Sequence, residues 1–145
     1  MFIGEYQHTL DEKSRLAIPA KFRVVFKKGA VISLPFGSEK CLFLFTKEEW
    51  AKLAQKIASA PSSQSNTRAF ARRMFSGAMD VTFDKQGRMV LPDYLVKNAG
   101  LACDVVIAGL YNRLEIWDKN SWISFKENAS RQSEEIAEKM GQLGI

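Results

Sequence analysis

The chain has 145 residues and a mass of 16.4 kDa, room for one ordinary domain or two very small ones and too little for a multi-domain enzyme. Hydrophobic residues make up 46% and charged residues 26%, the composition of a globular protein that buries a core and not of a disordered chain. The net charge of +5 is unevenly placed, with 15 basic and 8 acidic side chains in residues 1–88 but 6 and 8 in residues 89–145, so an anionic partner is expected, nucleic acid ahead of a membrane surface.

Tyr6 to Leu10 reads as a short strand, followed by a turn at Asp11-Glu12-Lys13-Ser14 in which Asp can accept from the amides ahead of it. A second strand, Arg15 to Ile18, leads to Pro19, suited to the first position of a helix. Phe22, Val25 and Phe26 fall on one face of that helix, and Gly29 is its stop. Ala30 to Leu34 and Cys41 to Phe45 form a hairpin through Pro35-Phe36-Gly37-Ser38. Lys47 to Ala60 is helical, Pro61-Ser62-Ser63 breaks it, and helical spacing resumes over Asn66 to Phe75.

The order then recurs, with a strand at Met79 to Phe83, a turn at Asp84 to Gly87, a strand at Arg88 to Leu91, Pro92, and Gly100 as terminator. Strands at Val105 to Ala108 and Leu114 to Trp117 are joined through Tyr111-Asn112. Trp122, Phe125, Ala129, Ile136 and Met140 share one stripe of a C-terminal helix that docks on the chain itself or on a sister subunit. The apolar runs Cys41–Phe45 and Val105–Leu110 are too short to span a membrane, and the N-terminus lacks a secretory pattern, so a cytoplasmic protein is expected. Cys41 and Cys103 stand alone and read as buried reduced thiols, with no metal site.

The recurrence has a fixed offset. Leu10-Asp11-Glu12-Lys13-Ser14-Arg15-Leu16-Ala17-Ile18-Pro19 is answered 73 residues later by Phe83-Asp84-Lys85-Gln86-Gly87-Arg88-Met89-Val90-Leu91-Pro92. The same offset carries Met1-Phe2-Ile3-Gly4 onto Met74-Phe75-Ser76-Gly77, and an offset of 72 carries Trp50 onto Trp122. A half of this size is marginal alone, so the two copies are expected to interleave around one core. The predicted organisation is a single domain 1–145, with a first repeat 1–60, a helical linker 61–73, a second repeat 74–126 and a C-terminal helix 127–145.

Asp11-x-x-x-Arg15 and Asp84-x-x-x-Arg88 allow two readings. Arg either pairs with the turn carboxylate as a stabilising device or reaches outward as a ligand-binding group. Its duplication favours the functional reading.

Met1-Phe2-x-Gly4, Asp11-x-Lys13-Ser14-Arg15 with Ile18-Pro19-x-x-Phe22-Arg23, Asp84-x-x-Gly87-Arg88 with Leu91-Pro92, and Leu114-x-x-Trp117 together resemble the MraZ family, from Met1 to about Phe125. The resemblance implies an α+β, mainly β fold similar to the AbrB and MazE factors, a pseudo-two-fold swapped-hairpin barrel made from two internal repeats, with flanking helices. It also implies a non-enzymatic, sequence-specific DNA-binding transcriptional regulator of the division and cell-wall gene cluster. Such a protein binds tandem direct repeats of double-stranded DNA in its own promoter as a ring-like homo-oligomer and is associated with the nucleoid, with no cofactor, membrane or small-molecule substrate.

Carried onto this chain, the DNA-contacting motif falls on Arg15 and Arg88, with Lys13 and Lys85 beside them. Arg suits guanine O6 and N7 or a pair of phosphate oxygens, and Lys suits phosphate. Arg15 is expected to read bases, and Lys13, Lys21 and Arg23 to hold backbone. Asp11, Asp84, Ser14 and Gly87 are structural, since a carboxylate facing phosphate is repelled. The family usually has Gly before the motif Arg, so Ser14 predicts strain or a shifted first turn if φ is positive there. Arg68, Arg72 and Arg73 either extend the basic surface or form a solvated helical face.

Two rival classes remain. An antitoxin-like module would pair DNA binding with capture of a toxin, although a helical C-terminal pattern fits it poorly. A small barrel enzyme would need reactive groups that this chain is short of, for its only histidine is His8 and no nucleophile or phosphate-loop motif occurs.

Overall fold

The computed structural model describes residues 1–145. The first half contains β1 (Glu5–Thr9), β2 (Arg15–Ala17), a 3-10 helix (Ala20–Phe26), β3 (Ala30–Ser33), β4 (Cys41–Thr46) and α1 (Lys47–Ala58). After α2 (Ser65–Gly77) come β5 (Met79–Val81), β6 (Arg88–Val90), α3 (Asp93–Ala99), β7 (Asp104–Gly109), β8 (Leu114–Asp118), α4 (Lys119–Arg131) and α5 (Ser133–Gly141). No helix is long and apolar enough to cross a membrane.

All strand pairings are antiparallel. Six strands form a sheet in the order β1-β7-β8-β4-β3-β5, and β2 pairs with β6 in a separate ribbon. With β5 to β8 as counterparts of β1 to β4, that order reads the same from either edge, so a pseudo-two-fold axis passes between β8 and β4. The first strand of each half completes the other half's portion of the sheet, Tyr6 facing Ile107 and Val31 facing Asp80. Such long-range pairing makes the halves one folding unit.

The architecture is α+β with a core that is mainly β. Period-two alternation in β4 buries Leu42 and Leu44 in the central core, and turns Cys41, Phe43 and Phe45 to the opposite face. Trp117 joins that second cluster, and Trp50, Leu53 and Trp122 of α1 and α4 pack against it. The ribbon closes the central core from the other side through Leu16 and Met89, both essentially inaccessible. Fully burying a side chain of this size contributes about 1.5–3 kcal/mol.

The N-terminal segment explains its own motif. Phe2 exchanges backbone hydrogen bonds with Tyr111 at 2.8 and 2.7 Å, and its ring packs on Phe22 and Phe26 at 5.1 and 5.5 Å. The segment crosses β7 so closely that a Cβ at Gly109 would lie 2.7 Å from Ile3 Cα.

Several expectations are corrected. Val25 is half exposed, because the pocket against Phe2 accepts Phe22 and Phe26 instead. The C-terminal helix expected over 127–145 is two helices, broken at Gln132, where φ −101° and ψ 10° redirect the chain. Phe125 and Trp122 pack on Trp117 at 5.4 and 5.5 Å, whereas Ile136 and Met140 beyond the break are exposed. The helix expected in the linker runs on to Gly77, since its Met74 is fully buried. Cys41 is buried, and burial first, then the Glu115 charge, pushes its thiol well up, but Cys103 is exposed just before β7.

Candidate nucleic-acid interface

The two motif turns are built alike. In the first, Asp11 Oδ1 accepts the backbone N–H groups of Lys13 at 2.9 Å and Arg15 at 2.8 Å, and Asp11 Oδ2 accepts Arg15 Nε at 2.6 Å. In the second, Asp84 Oδ1 accepts the N–H groups of Gln86 and Arg88 at 2.9 and 3.0 Å, and Asp84 Oδ2 accepts Arg88 Nε at 2.9 Å. The backbone N–H of each Asp donates to the carbonyl of its Arg, at 3.1 and 2.9 Å, closing each turn.

Both carboxyls are consequently held below the ordinary aspartate range. The backbone N–H of the motif Arg is the largest cause, opposed by partial desolvation and reinforced by the guanidinium. An ionised Asp pinned by two amides holds Nε, leaving the terminal guanidinium nitrogens without an internal hydrogen bond. The two readings of the motif are therefore compatible, because the edge used for pairing is not the edge offered outward.

The ribbon sets the two arginines side by side. Arg15 pairs with Val90 and Arg88 with Ala17, while Leu16 and Met89 point inward. Alternation thus places Arg15, Ala17, Arg88 and Val90 on the outer face. The turns are also tied to each other, Leu91 N–H donating to Ser14 O at 2.8 Å and Ile18 N–H to Gly87 O at 3.2 Å.

Ser14 adopts φ 57° and Gly87 φ 75°, so the first turn keeps the left-handed conformation without glycine. The second has a further reason for glycine, since the Arg23 side chain lies over Gly87 and a Cβ there would meet Arg23 Cδ and Cζ at 2.8 Å. This approach crosses between halves and is invisible in the sequence.

Lys13 and Lys85 are exposed on their turns. The Lys21 ammonium rests over the rings of Tyr6 and Phe22, at 5.4 and 5.3 Å, and is not part of the cleft beside the second turn. That cleft, of about 620 Å³, is lined by Arg23, Lys27, Lys28, Asp84, Lys85 and Gly87 among others. Lys27 and Lys28 were not singled out by motif reasoning; the basic pair before Gly29 was the available signal. Arg68 donates to the carbonyls of Ser62 and Ser63, and Arg73 to Gly37, so both serve loops away from this cleft. Burial, and then the Arg23 charge, lowers the pKa of His8.

The sequence signature of the family described as "MraZ protein, putative antitoxin-like" matches residues 1–73 and again 74–143. Proteins named "Transcriptional regulator MraZ" from Acetivibrio thermocellus, Syntrophomonas wolfei and Clostridium tetani are 46%, 45% and 42% identical to the chain over 145 residues, covering 100% of both sequences in each case. With the signature matching in both halves and the relatives aligning end to end, the chain belongs to the MraZ family.

Proposed function

We propose that the chain is a sequence-specific DNA-binding transcriptional regulator that contacts DNA through Arg15 and Arg88. The carrying observation is the pair of aspartate-clamped arginines on the outer face of one ribbon, each with its terminal nitrogens unengaged. A guanidinium fixed through Nε is pre-organised for a bidentate contact to guanine or phosphate. Lys13, Lys85, Lys21 and Arg23 supply surrounding positive charge for backbone, and Asp11, Asp84, Ser14 and Gly87 shape the turns. The names of the relatives support a role in transcription.

The cross-half pairings suit a swapped-hairpin barrel in which the repeats play the part of two chains. The finer reading is a repressor of the division and cell-wall gene cluster, acting in the cytoplasm at the nucleoid on tandem direct repeats in its own promoter. One chain offers few contacts, so several chains in a closed head-to-tail ring would gain affinity by spanning successive repeats. The exposed Ile123, Phe125, Ile136 and Met140 on α4 and α5 suit such a subunit interface. Footprinting on the chain's own promoter, combined with light scattering, tests this reading. Tandem repeats binding far more tightly than one isolated repeat is expected; equal binding contradicts the multivalent account.

A further inference from the structure

We infer that the cleft between the 3-10 helix and the second motif turn grips a DNA backbone phosphate, which fixes the Asp84–Arg88 turn to the strand and leaves the Asp11–Arg15 turn to read bases. The inference rests on the DNA-binding reading above and assigns different tasks to two turns with the same internal geometry.

The cleft gathers Arg23, Lys27 and Lys28 from the first half and Lys85 from the second. None of these four makes an ion pair within the chain. The one carboxylate in the lining, Asp84, is already committed to Arg88 and two backbone N–H groups. Four unpaired cations around one concavity repel one another, and an anion seated among them relieves that repulsion. Arg23 lies across Gly87, so a phosphate held there is coupled directly to the turn that carries Arg88.

The first turn lacks this equipment. At the 73-residue offset, Lys85 corresponds to Glu12, Arg23 to Val96, Lys27 to Gly100 and Lys28 to Leu101. Four cations are thus replaced by an acid and three uncharged residues. Ser14 is half-buried where Gly87 is covered by a guanidinium. A turn without a local phosphate grip leaves Arg15 the better candidate for base edges, since phosphate contacts position a protein and base contacts specify sequence.

The test uses the full chain, fluorescence anisotropy, and two duplexes of equal length, one carrying the chain's own promoter repeats and one scrambled, across a salt series. The double variant Lys27→Gln/Lys28→Gln is expected to weaken both duplexes by the same factor and to lower the log–log salt slope by about 2, at roughly 0.9 per phosphate contact. The charge-matched control Lys56→Gln/Lys119→Gln keeps the parent slope. Arg15→Ala is expected to do the opposite, shrinking the ratio of promoter to scrambled affinity. An unchanged slope in the Lys27/Lys28 variant, or a collapse of the promoter preference in it, overturns the inference.

A parent protein with no promoter preference and a slope near zero would instead defeat the DNA-binding reading itself. Titration calorimetry with inorganic pyrophosphate is the second arm: saturable binding that the Lys27/Lys28 variant loses would reassign the cleft to a free phosphoryl ligand. Circular dichroism and thermal melting of each variant establish that it is folded, and single Lys27→Gln and Lys28→Gln variants, each expected to lower the slope by about 1, replace the double one if it is not.

Discussion

Arg15 donates its Nε to Asp11 Oδ2 at 2.6 Å while its own backbone N–H donates to Asp11 Oδ1 at 2.8 Å, so one carboxylate fixes both the turn and the arginine it presents. Asp11→Asn retains an oxygen for the amides but removes the charge that holds Nε. The expected outcome is an intact fold, and affinity for promoter DNA lower by roughly tenfold through lost pre-organisation of Arg15. Anisotropy and a thermal melt check the two parts.

Ser14 and Gly87 occupy the same left-handed position for unequal reasons. Ser14→Gly relieves a side chain from φ 57° and is expected to stabilise by up to about 1 kcal/mol, less the added freedom of the unfolded chain. Gly87→Ala both strains the backbone and displaces Arg23, and is expected to destabilise by about 1–3 kcal/mol. Urea denaturation of the two variants gives opposite signs on this account.

The depressed pKa values of Asp11 and Asp84 set a pH window. A carboxyl whose folded pKa lies below its ordinary 3.8 contributes stability that is present above that value and is lost as pH falls through the lower folded pKa. Turn order therefore persists at neutral and mildly acidic pH and fails below about pH 4. Carbon-13 titration of the aspartate carboxyls is expected to find Asp11 and Asp84 titrating below the ordinary value.

Phe26 joins the halves, stacking on Phe2 at 5.5 Å and meeting Phe83 of the second half at 5.7 Å. Phe26→Ala is expected to cost about 3–5 kcal/mol as a core truncation. Because the halves share their strands, urea should unfold the variant and the parent alike in one transition, recorded by both tryptophan fluorescence and far-ultraviolet circular dichroism. Two separated transitions would mean that the repeats fold independently.

What could be read before folding was local. The Asp turns, the Pro19 and Pro92 starts and the Gly29 and Gly100 stops each depend on a few adjacent residues, and the structure places the expected elements around them. The partners of those elements were less legible, because cross-half pairing leaves no short-range signal and β1 could as well have paired within its own half. Val25 failed as a core residue because the pocket formed by distant Phe2 selects Phe22 and Phe26. The bend at Gln132 has no Pro or Gly to announce it. Arg23 was expected on the DNA backbone, but its position over Gly87 emerges only when the two halves come together.

The central claim is that DNA recognition passes through Arg15 and Arg88. Its most direct test is the affinity of Arg15→Ala, Arg88→Ala and the double variant for a duplex bearing the chain's own promoter repeats, measured by anisotropy at one fixed salt concentration. The account predicts that each single variant loses about 1–3 kcal/mol of binding, that the double variant loses measurable promoter binding, and that all three melt as the parent does. A double variant that binds the promoter duplex as tightly as the parent would contradict it.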